Sequence, residues 1–184
     1  MANTPSNMLP LGTEAPDFNL LNTISDKTEN LSHCKGKEGT VILFICNHCP
    51  FVIHINSEIV KMAKEYQKKG IQFIAISSND AVKYPQDAPH LMKKLAATEN
   101  YSFPYLYDET QKIAKAYNAA CTPDIYLFNR ELKLVYRGQI DDSRPGNKIP
   151  VTGIDLRNAM NNLLEEKPIS PKQKPSIGCN IKWV

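Results

Sequence analysis

The feature that most constrains the fold is an uninterrupted apolar run, Val41-Ile42-Leu43-Phe44-Ile45, with a β-branched residue at each end. Because polar residues do not alternate within it, the run predicts a strand that is buried on both faces, as in a sheet covered by helices. The run ends at Cys46-Asn47-His48-Cys49, and apolar residues then follow helical spacing from Pro50 to Lys69. The sequence therefore predicts a strand, a Cys-x-x-Cys motif and a helix in direct succession.

Buried strands alternate with helical patterns along the rest of the chain. Residues 71–77 and 124–128 repeat the apolar pattern of 41–45, and these segments are expected to be central strands of one sheet. Such alternation predicts an α/β fold, with a mixed central β-sheet and helices on both faces. The other predicted elements are a hairpin at 18–21 and 28–31, helices at 90–98, 109–117 and 155–166, a short strand at 104–107 and an antiparallel return at 133–139.

Length and charge narrow the domain organisation and the class of partner. The chain of 184 residues suits a single domain, 1–184, with an irregular N-terminal extension at 1–16 and a proline-rich C-terminal tail at 167–184. A net charge of +3 is too small to favour nucleic acid or an anionic membrane as a partner. We find no apolar run of about 18 residues and no secretory signal, so we expect no membrane span and a cytoplasmic location.

The cysteines do not suggest a structural disulfide framework, because their number is odd and the cytosol is reducing. A Cys-x-x-Cys motif then has three interpretations: a reversible redox pair, half of a zinc site, or two buried thiols without redox chemistry. A zinc site needs further ligands, and the chain has no second Cys-x-x-Cys motif, so we expect neither a metal nor a cofactor. The five cysteines are Cys34, Cys46, Cys49, Cys121 and Cys179.

The position of the motif at a strand–helix junction favours the redox interpretation. The thiolate is the reactive form of cysteine, and the unpaired amides and positive dipole of a helix N-terminus stabilise it. We expect Cys46 to lie at the helix start, to be the more exposed and more acidic thiol, and to attack the substrate. Cys49, within the first turn, would resolve the intermediate, and an imidazolium at His48 would further stabilise the Cys46 thiolate.

Several segments resemble the thioredoxin-fold superfamily in its AhpC/TSA–TlpA branch. These are "LGTEAPDFNL" (11–20), "VILFICNHC" (41–49) and "CTPDIYLFN" (121–129). Together with the tail "SIGCNIKW" (176–183), the "CNHCPFV" motif resembles a peroxiredoxin-like subgroup of thioredoxin-family proteins. The resemblance covers 11–184 and implies a thioredoxin-like fold. The peroxiredoxin pattern P-x-x-x-T-x-x-C is not matched with either Cys46 or Cys49 as its cysteine.

The same resemblance gives a role to the segment around Pro123. It implies that Pro123 is the family's cis-proline, that this turn lies against the Cys-x-x-Cys motif, and that the Thr122 backbone could pair with an extended substrate. A proline at the start of a buried strand suits this position, since it has no amide to contribute. Cys121 and Cys179 are candidate accessory thiols, and buried packing residues are the alternative for both.

These observations predict a thiol–disulfide oxidoreductase whose catalytic residues are Cys46, Cys49, His48, Thr122 and Pro123. Its partners would be a protein or small-molecule disulfide or thiol, and a cellular thiol reductant. One alternative is a peroxiredoxin-like thiol peroxidase with antioxidant activity, which would consume peroxide through a sulfenic acid. Another is a redox-sensing or interaction protein that uses the fold without turnover.

Overall fold

The computed structural model describes residues 3–184, and Met1 and Ala2 of the predicted N-terminal extension lie outside that range. The strands are β1 (Thr4–Pro5), β2 (Asn19–Asn22), β3 (Lys27–Asn30), β4 (Gly39–Phe44), β5 (Ile71–Ser77), β6 (Tyr105–Tyr107), β7 (Cys121–Thr122), β8 (Asp124–Asn129), β9 (Leu134–Arg137) and β10 (Ile177–Asn180). The helices are α1 (Leu31–Cys34), α2 (Pro50–Gln67), α3 (Pro89–Thr98), α4 (Lys112–Ala116) and α5 (Ile154–Leu164), with a 3₁₀ turn at Pro85–Asp87.

The main sheet has seven strands in the order β3-β2-β6-β5-β4-β8-β9. β4 lies at its centre, parallel to β5 and antiparallel to β8, so the sheet is mixed. The three segments predicted as central strands are therefore neighbours in one sheet, and the predicted α/β fold is confirmed. The register pairs Phe44 with Asp124, which brings the end of β4 beside the start of β8.

The two faces of β4 contribute to two separate cores. Val41 and Leu43 pack with residues of α2 and α5, whereas Ile42 and Phe44 pack on the opposite face with Tyr117. All four strand residues are almost completely buried, which is the reason that no polar residue alternates in this segment. Helices cover both faces, as predicted. Within residues 3–184, no helix is both long and apolar enough to cross a membrane.

The predicted helix at 109–117 is shorter in the structure. Gln111 has a left-handed backbone conformation, with φ of 59°, so α4 begins only at Lys112. The Asp108 carboxylate accepts a hydrogen bond from the Ala114 amide at 2.9 Å, which satisfies one of the unpaired amides of the first turn. The predicted helix thus forms only over Lys112–Ala116. The Asp108 side chain stabilises the turn that precedes it.

The C-terminal tail folds back and forms a strand that the sequence did not reveal. β10 lies between β1 and β7 in a second, three-stranded sheet. Its pairing places Gly178 opposite Thr4 and Cys179 opposite Thr122. A Cβ atom at Gly178 would lie 1.9 Å from the carbonyl oxygen of Thr122. Only glycine therefore allows the tail to approach this closely.

Gly178→Ala should consequently destabilise the fold. The added methyl group must displace either β10 or the Thr122–Pro123 turn, and overpacking of this kind costs about 1–3 kcal/mol. Urea denaturation would measure the loss in the free energy of unfolding. Asn180→Ala, at an exposed position of the same strand, is the matched control and should change stability by less than about 0.5 kcal/mol. Equal stability of Gly178→Ala and wild type would contradict the packing described here.

Candidate active site

The Cys-x-x-Cys motif lies between the end of β4 and the start of α2. Helix α2 begins at Pro50, and Cys49 is its N-cap residue. The expectation that Cys46 marks the helix start is therefore wrong. Proline favours the first helical position because it has no amide to leave unpaired there. Both thiols are buried, with exposed fractions of 1% for Cys46 and 0% for Cys49, so the expected difference in exposure is also absent.

The two sulfurs interact with each other and share one ionisation. A hydrogen bond from the Cys46 thiol lowers the pKa of Cys49 to about 4, against the opposing effect of burial. The Cys179 thiol, the Thr122 hydroxyl and the Val52 amide lower it further. The same bond to Cys49, together with burial and the Asp87 carboxylate, raises the pKa of Cys46. The expected order of acidity is thus reversed, because Cys46 stabilises the Cys49 thiolate whereas Cys49, burial and Asp87 all disfavour a thiolate at Cys46.

The Thr122–Pro123 turn lies against both thiols, as the family resemblance implied. The Thr122 hydroxyl oxygen is 3.5 Å from the Cys46 sulfur, and the Thr122 carbonyl accepts a hydrogen bond from the protonated Cys49 thiol at 3.1 Å. The peptide bond between Thr122 and Pro123 is cis. The pairing of Thr122 with Cys179, however, means that its strand edge is already occupied by β10. The expectation of a free edge for an extended substrate is therefore not met.

The two candidate accessory thiols lie in different surroundings. Cys179 lies in the same buried cluster as Cys46 and Cys49, and burial, followed by the interaction with Cys49, raises the pKa of Cys179 to about 11. Cys121 is completely buried, and its thiol donates to the Pro123 carbonyl at 3.4 Å within its own turn. Burial raises the pKa of Cys121 far more strongly. Cys179 therefore belongs to the thiol cluster of Cys46 and Cys49, whereas Cys121 supports the turn.

The direct partner of His48 is a buried carboxylate that the sequence did not indicate. His48 Nδ1 lies 2.7 Å from Asp87 Oδ2, and its ring stacks on Tyr84 at 5.8 Å between centroids. Asp87 is completely buried and accepts hydrogen bonds from the Asn47 amide and the Asn79 side chain. No hydrogen bond joins His48 to Cys46 among the described contacts of residues 3–184. An imidazolium here would offset the Asp87 charge rather than contact the thiol.

Cys46, His48 and Asp87 also offer one sulfur, one nitrogen and one oxygen within 4.8 Å of one another. Sulfur, imidazole and carboxylate ligands are the set that zinc accepts in proteins. The chain therefore has donors for a divalent cation although it lacks a second Cys-x-x-Cys motif. A Cys46–Cys49 disulfide would remove the sulfur ligand, so metal binding and disulfide formation would compete.

A comparison with known protein families shows that this chain belongs to the AhpC/TSA family. The model of the AhpC/TSA family matches residues 11–137. A comparison with curated proteins gave no match. The crystal structure of an uncharacterized conserved protein from Geobacillus kaustophilus is 58% identical, with coverage of 100% of this chain and 97% of that chain and a TM-score of 0.98.

Two further solved structures extend the comparison. A hypothetical protein from Sinorhizobium meliloti 1021 is 45% identical, with 98% of each chain covered and a TM-score of 0.96. The thioredoxin domain of a thiol-disulfide oxidoreductase from Bacteroides vulgatus is 17% identical, with 71% of this chain and 89% of that chain covered and a TM-score of 0.59. The last likeness is one of fold, and it confirms the thioredoxin-like fold.

The shared ionisation predicts a titration that can be followed by thiolate absorbance at 240 nm. The absorbance of the reduced protein should fall as the pH drops through about 4, where the Cys49 thiolate gains a proton. Cys46→Ala should raise this midpoint, since it removes the donor that is the largest stabilising influence on the Cys49 thiolate. Cys34→Ala is the control, because that thiol lies beside Glu29 and away from the motif, and it should leave the midpoint unchanged. A midpoint that is insensitive to Cys46→Ala would contradict the paired ionisation.

The His48–Asp87 contact predicts opposite shifts in reduction potential. His48→Ala leaves the Asp87 carboxylate uncompensated near the thiols, so the thiolate is less stable and the potential should fall. Asp87→Asn should raise it. A tenfold change in the equilibrium constant corresponds to about 30 mV for a two-electron couple. Glutathione redox titration measures both, with Tyr84→Phe as a control that keeps the stacked ring. Shifts of the same sign in both variants would exclude this electrostatic account.

Proposed function

We propose that this chain, which belongs to the AhpC/TSA family, is a thiol–disulfide oxidoreductase whose redox pair is Cys46 and Cys49. The observation that carries the proposal is the placement of both thiols against one turn at the N-terminus of α2. The Thr122 hydroxyl oxygen lies 3.5 Å from the Cys46 sulfur, and the Thr122 carbonyl oxygen lies 3.1 Å from the Cys49 sulfur. The opposite shifts in the pKa values of the two cysteines support the same interpretation.

Cys49 carries out the first step, because it is the cysteine of the pair whose pKa is lowered. Its thiolate attacks one sulfur of a substrate disulfide, which forms a mixed disulfide and releases the first half of the substrate as a thiolate that takes a proton from water. Cys46 then attacks the Cys49 sulfur, and the second substrate thiol leaves with the proton that Cys46 gives up. The substrate disulfide is reduced to two thiols, and the protein ends with a Cys46–Cys49 disulfide. A cellular thiol reductant in the cytoplasm would regenerate the dithiol.

The peroxidase alternative has less support from the residues around the thiols. With Cys49 as the peroxide-reacting cysteine, Cys46 takes the place of the threonine that orients peroxide, and with Cys46 that place is taken by Leu43. The Leu43 side chain cannot donate a hydrogen bond to a peroxide oxygen, and the Cys46 thiol is a weak donor. The two activities are distinguished by measuring peroxide consumption in parallel with disulfide reduction.

Turnover measurements test the proposal. The reduced protein should reduce glutathione disulfide, and peptide mapping after acid quenching and alkylation should then find Cys46 linked to Cys49. Cys49→Ser should abolish turnover because it removes the attacking thiolate, whereas Cys34→Ser should match wild type. Peroxide consumption without disulfide reduction would favour the peroxidase. A reversible disulfide without either activity would favour a redox sensor.

A further inference from the structure

The C-terminal strand β10 lies where an incoming substrate strand would be expected. The edge at Thr122 is the place at which a thioredoxin-like protein could pair with an extended substrate. In this chain the edge is filled by β10, with Cys179 directly opposite Thr122. The protein therefore presents one of its own cysteines to the redox pair in the position of a substrate cysteine.

From this arrangement we propose that Cys179 is a second resolving thiol of Cys49, an inference that rests on the proposed function of the Cys46–Cys49 pair. Cys179 lies opposite Thr122 in the pairing of β10 with β7, and the Thr122 carbonyl oxygen lies 3.1 Å from the Cys49 sulfur. Cys46, Cys49 and Cys179 also belong to one buried cluster. Cys49 thus has a thiol neighbour on each of two chain segments. Either neighbour can attack a mixed disulfide on Cys49 without a large movement of the backbone.

The tail is held in place on both sides of Cys179, so the position of Cys179 is a fixed feature of the fold. On one side, β10 pairs with β1. Beyond the strand, the Ile181 amide donates to the Ala120 carbonyl at 3.1 Å, and the Lys182 amide donates to the Asn79 side chain at 2.8 Å. The Val184 amide donates to Gln111 at 3.0 Å. Cys179 is only 7% exposed, which keeps its sulfur directed to the interior.

The chemistry of the step balances without any further reagent. The Cys49 thiolate first attacks a substrate disulfide, whose S–S bond breaks. Cys49 then carries one half as a mixed disulfide, and the other half leaves as a thiolate that takes a proton from water. The Cys179 sulfur then attacks the Cys49 sulfur, the bond to the substrate sulfur breaks, and the substrate leaves as a thiol with the proton that Cys179 loses. Cys49 and Cys179 are oxidised to a disulfide, and the substrate disulfide is reduced to two thiols. Cys46 remains a free thiol and can exchange with the new disulfide.

The filled edge also narrows the class of substrate. An extended polypeptide cannot add a strand at Thr122 while β10 occupies it, and both thiols of the pair are buried. A low-molecular-weight disulfide needs no such edge. The site is therefore assigned to small disulfides, of which glutathione disulfide is the probe.

Disulfide mapping of Cys46→Ser tests the role of Cys179. After reaction with glutathione disulfide, acid quenching and alkylation, the main product should be a disulfide that links Cys49 to Cys179. The double variant Cys46→Ser/Cys179→Ser should instead stop at a glutathione mixed disulfide on Cys49. Cys46→Ser/Cys34→Ser is the matched control and should behave as Cys46→Ser. Far-UV circular dichroism verifies that each variant is folded.

The outcomes separate this inference from the proposed function. If Cys46→Ser keeps glutathione on Cys49 while Cys179 is alkylated, or if none of its cysteines reacts, the role of Cys179 is overturned. Either result leaves the function intact, provided that wild type forms its Cys46–Cys49 disulfide and turns over. In wild type, mapping should also find a fraction of molecules with Cys49 linked to Cys179. If wild type forms no disulfide under these conditions, both proposals fail.

Discussion

The site depends on the polar groups that surround the Cys49 sulfur and stabilise its thiolate. An ionised group without solvent is costly to bury unless neighbouring groups donate hydrogen bonds to it. Cys49 is completely buried. Its pKa is lowered by four neighbouring groups: the Cys46 thiol, the Cys179 thiol, the Thr122 hydroxyl and the Val52 amide. These groups come from four different parts of the chain. The folding of the motif, the turn and the tail is therefore linked through a single sulfur.

The strand register is what brings those parts together. β4 pairs with β8 so that Phe44 lies opposite Asp124. The segments beyond these ends, with Cys46 after β4 and Pro123 before β8, consequently meet at the same end of the two strands. β10 then covers this region, and the absence of a side chain at Gly178 permits its approach to Thr122. The strand register and the approach of β10 are thus both determined by backbone geometry.

The central strands could be predicted because their apolar runs contain no polar residue and are bounded by turns. The helix start could also have been read from the sequence, since Pro50 favours the first helical position and so indicates Cys49 as the N-cap. The strand in the tail gave no such signal, because three prolines precede it and its hydrogen-bond partners are distant in sequence. The contact between Asp87 and His48 could not be predicted either. Asp87 lies in a polar loop, 39 positions after His48, and the sequence does not show that its carboxylate is buried.

The most direct test of the central claim is carbon-13 NMR of the cysteine Cβ atoms across a series of glutathione redox buffers. The shift of a Cβ carbon distinguishes a thiol from a disulfide for each cysteine separately, without quenching or alkylation. The account predicts that Cys46 and Cys49 move from thiol to disulfide values at one shared midpoint, while Cys34 and Cys121 keep thiol values. If Cys46 and Cys49 keep thiol values in buffers that oxidise a thioredoxin standard, the Cys46–Cys49 pair is not the redox centre.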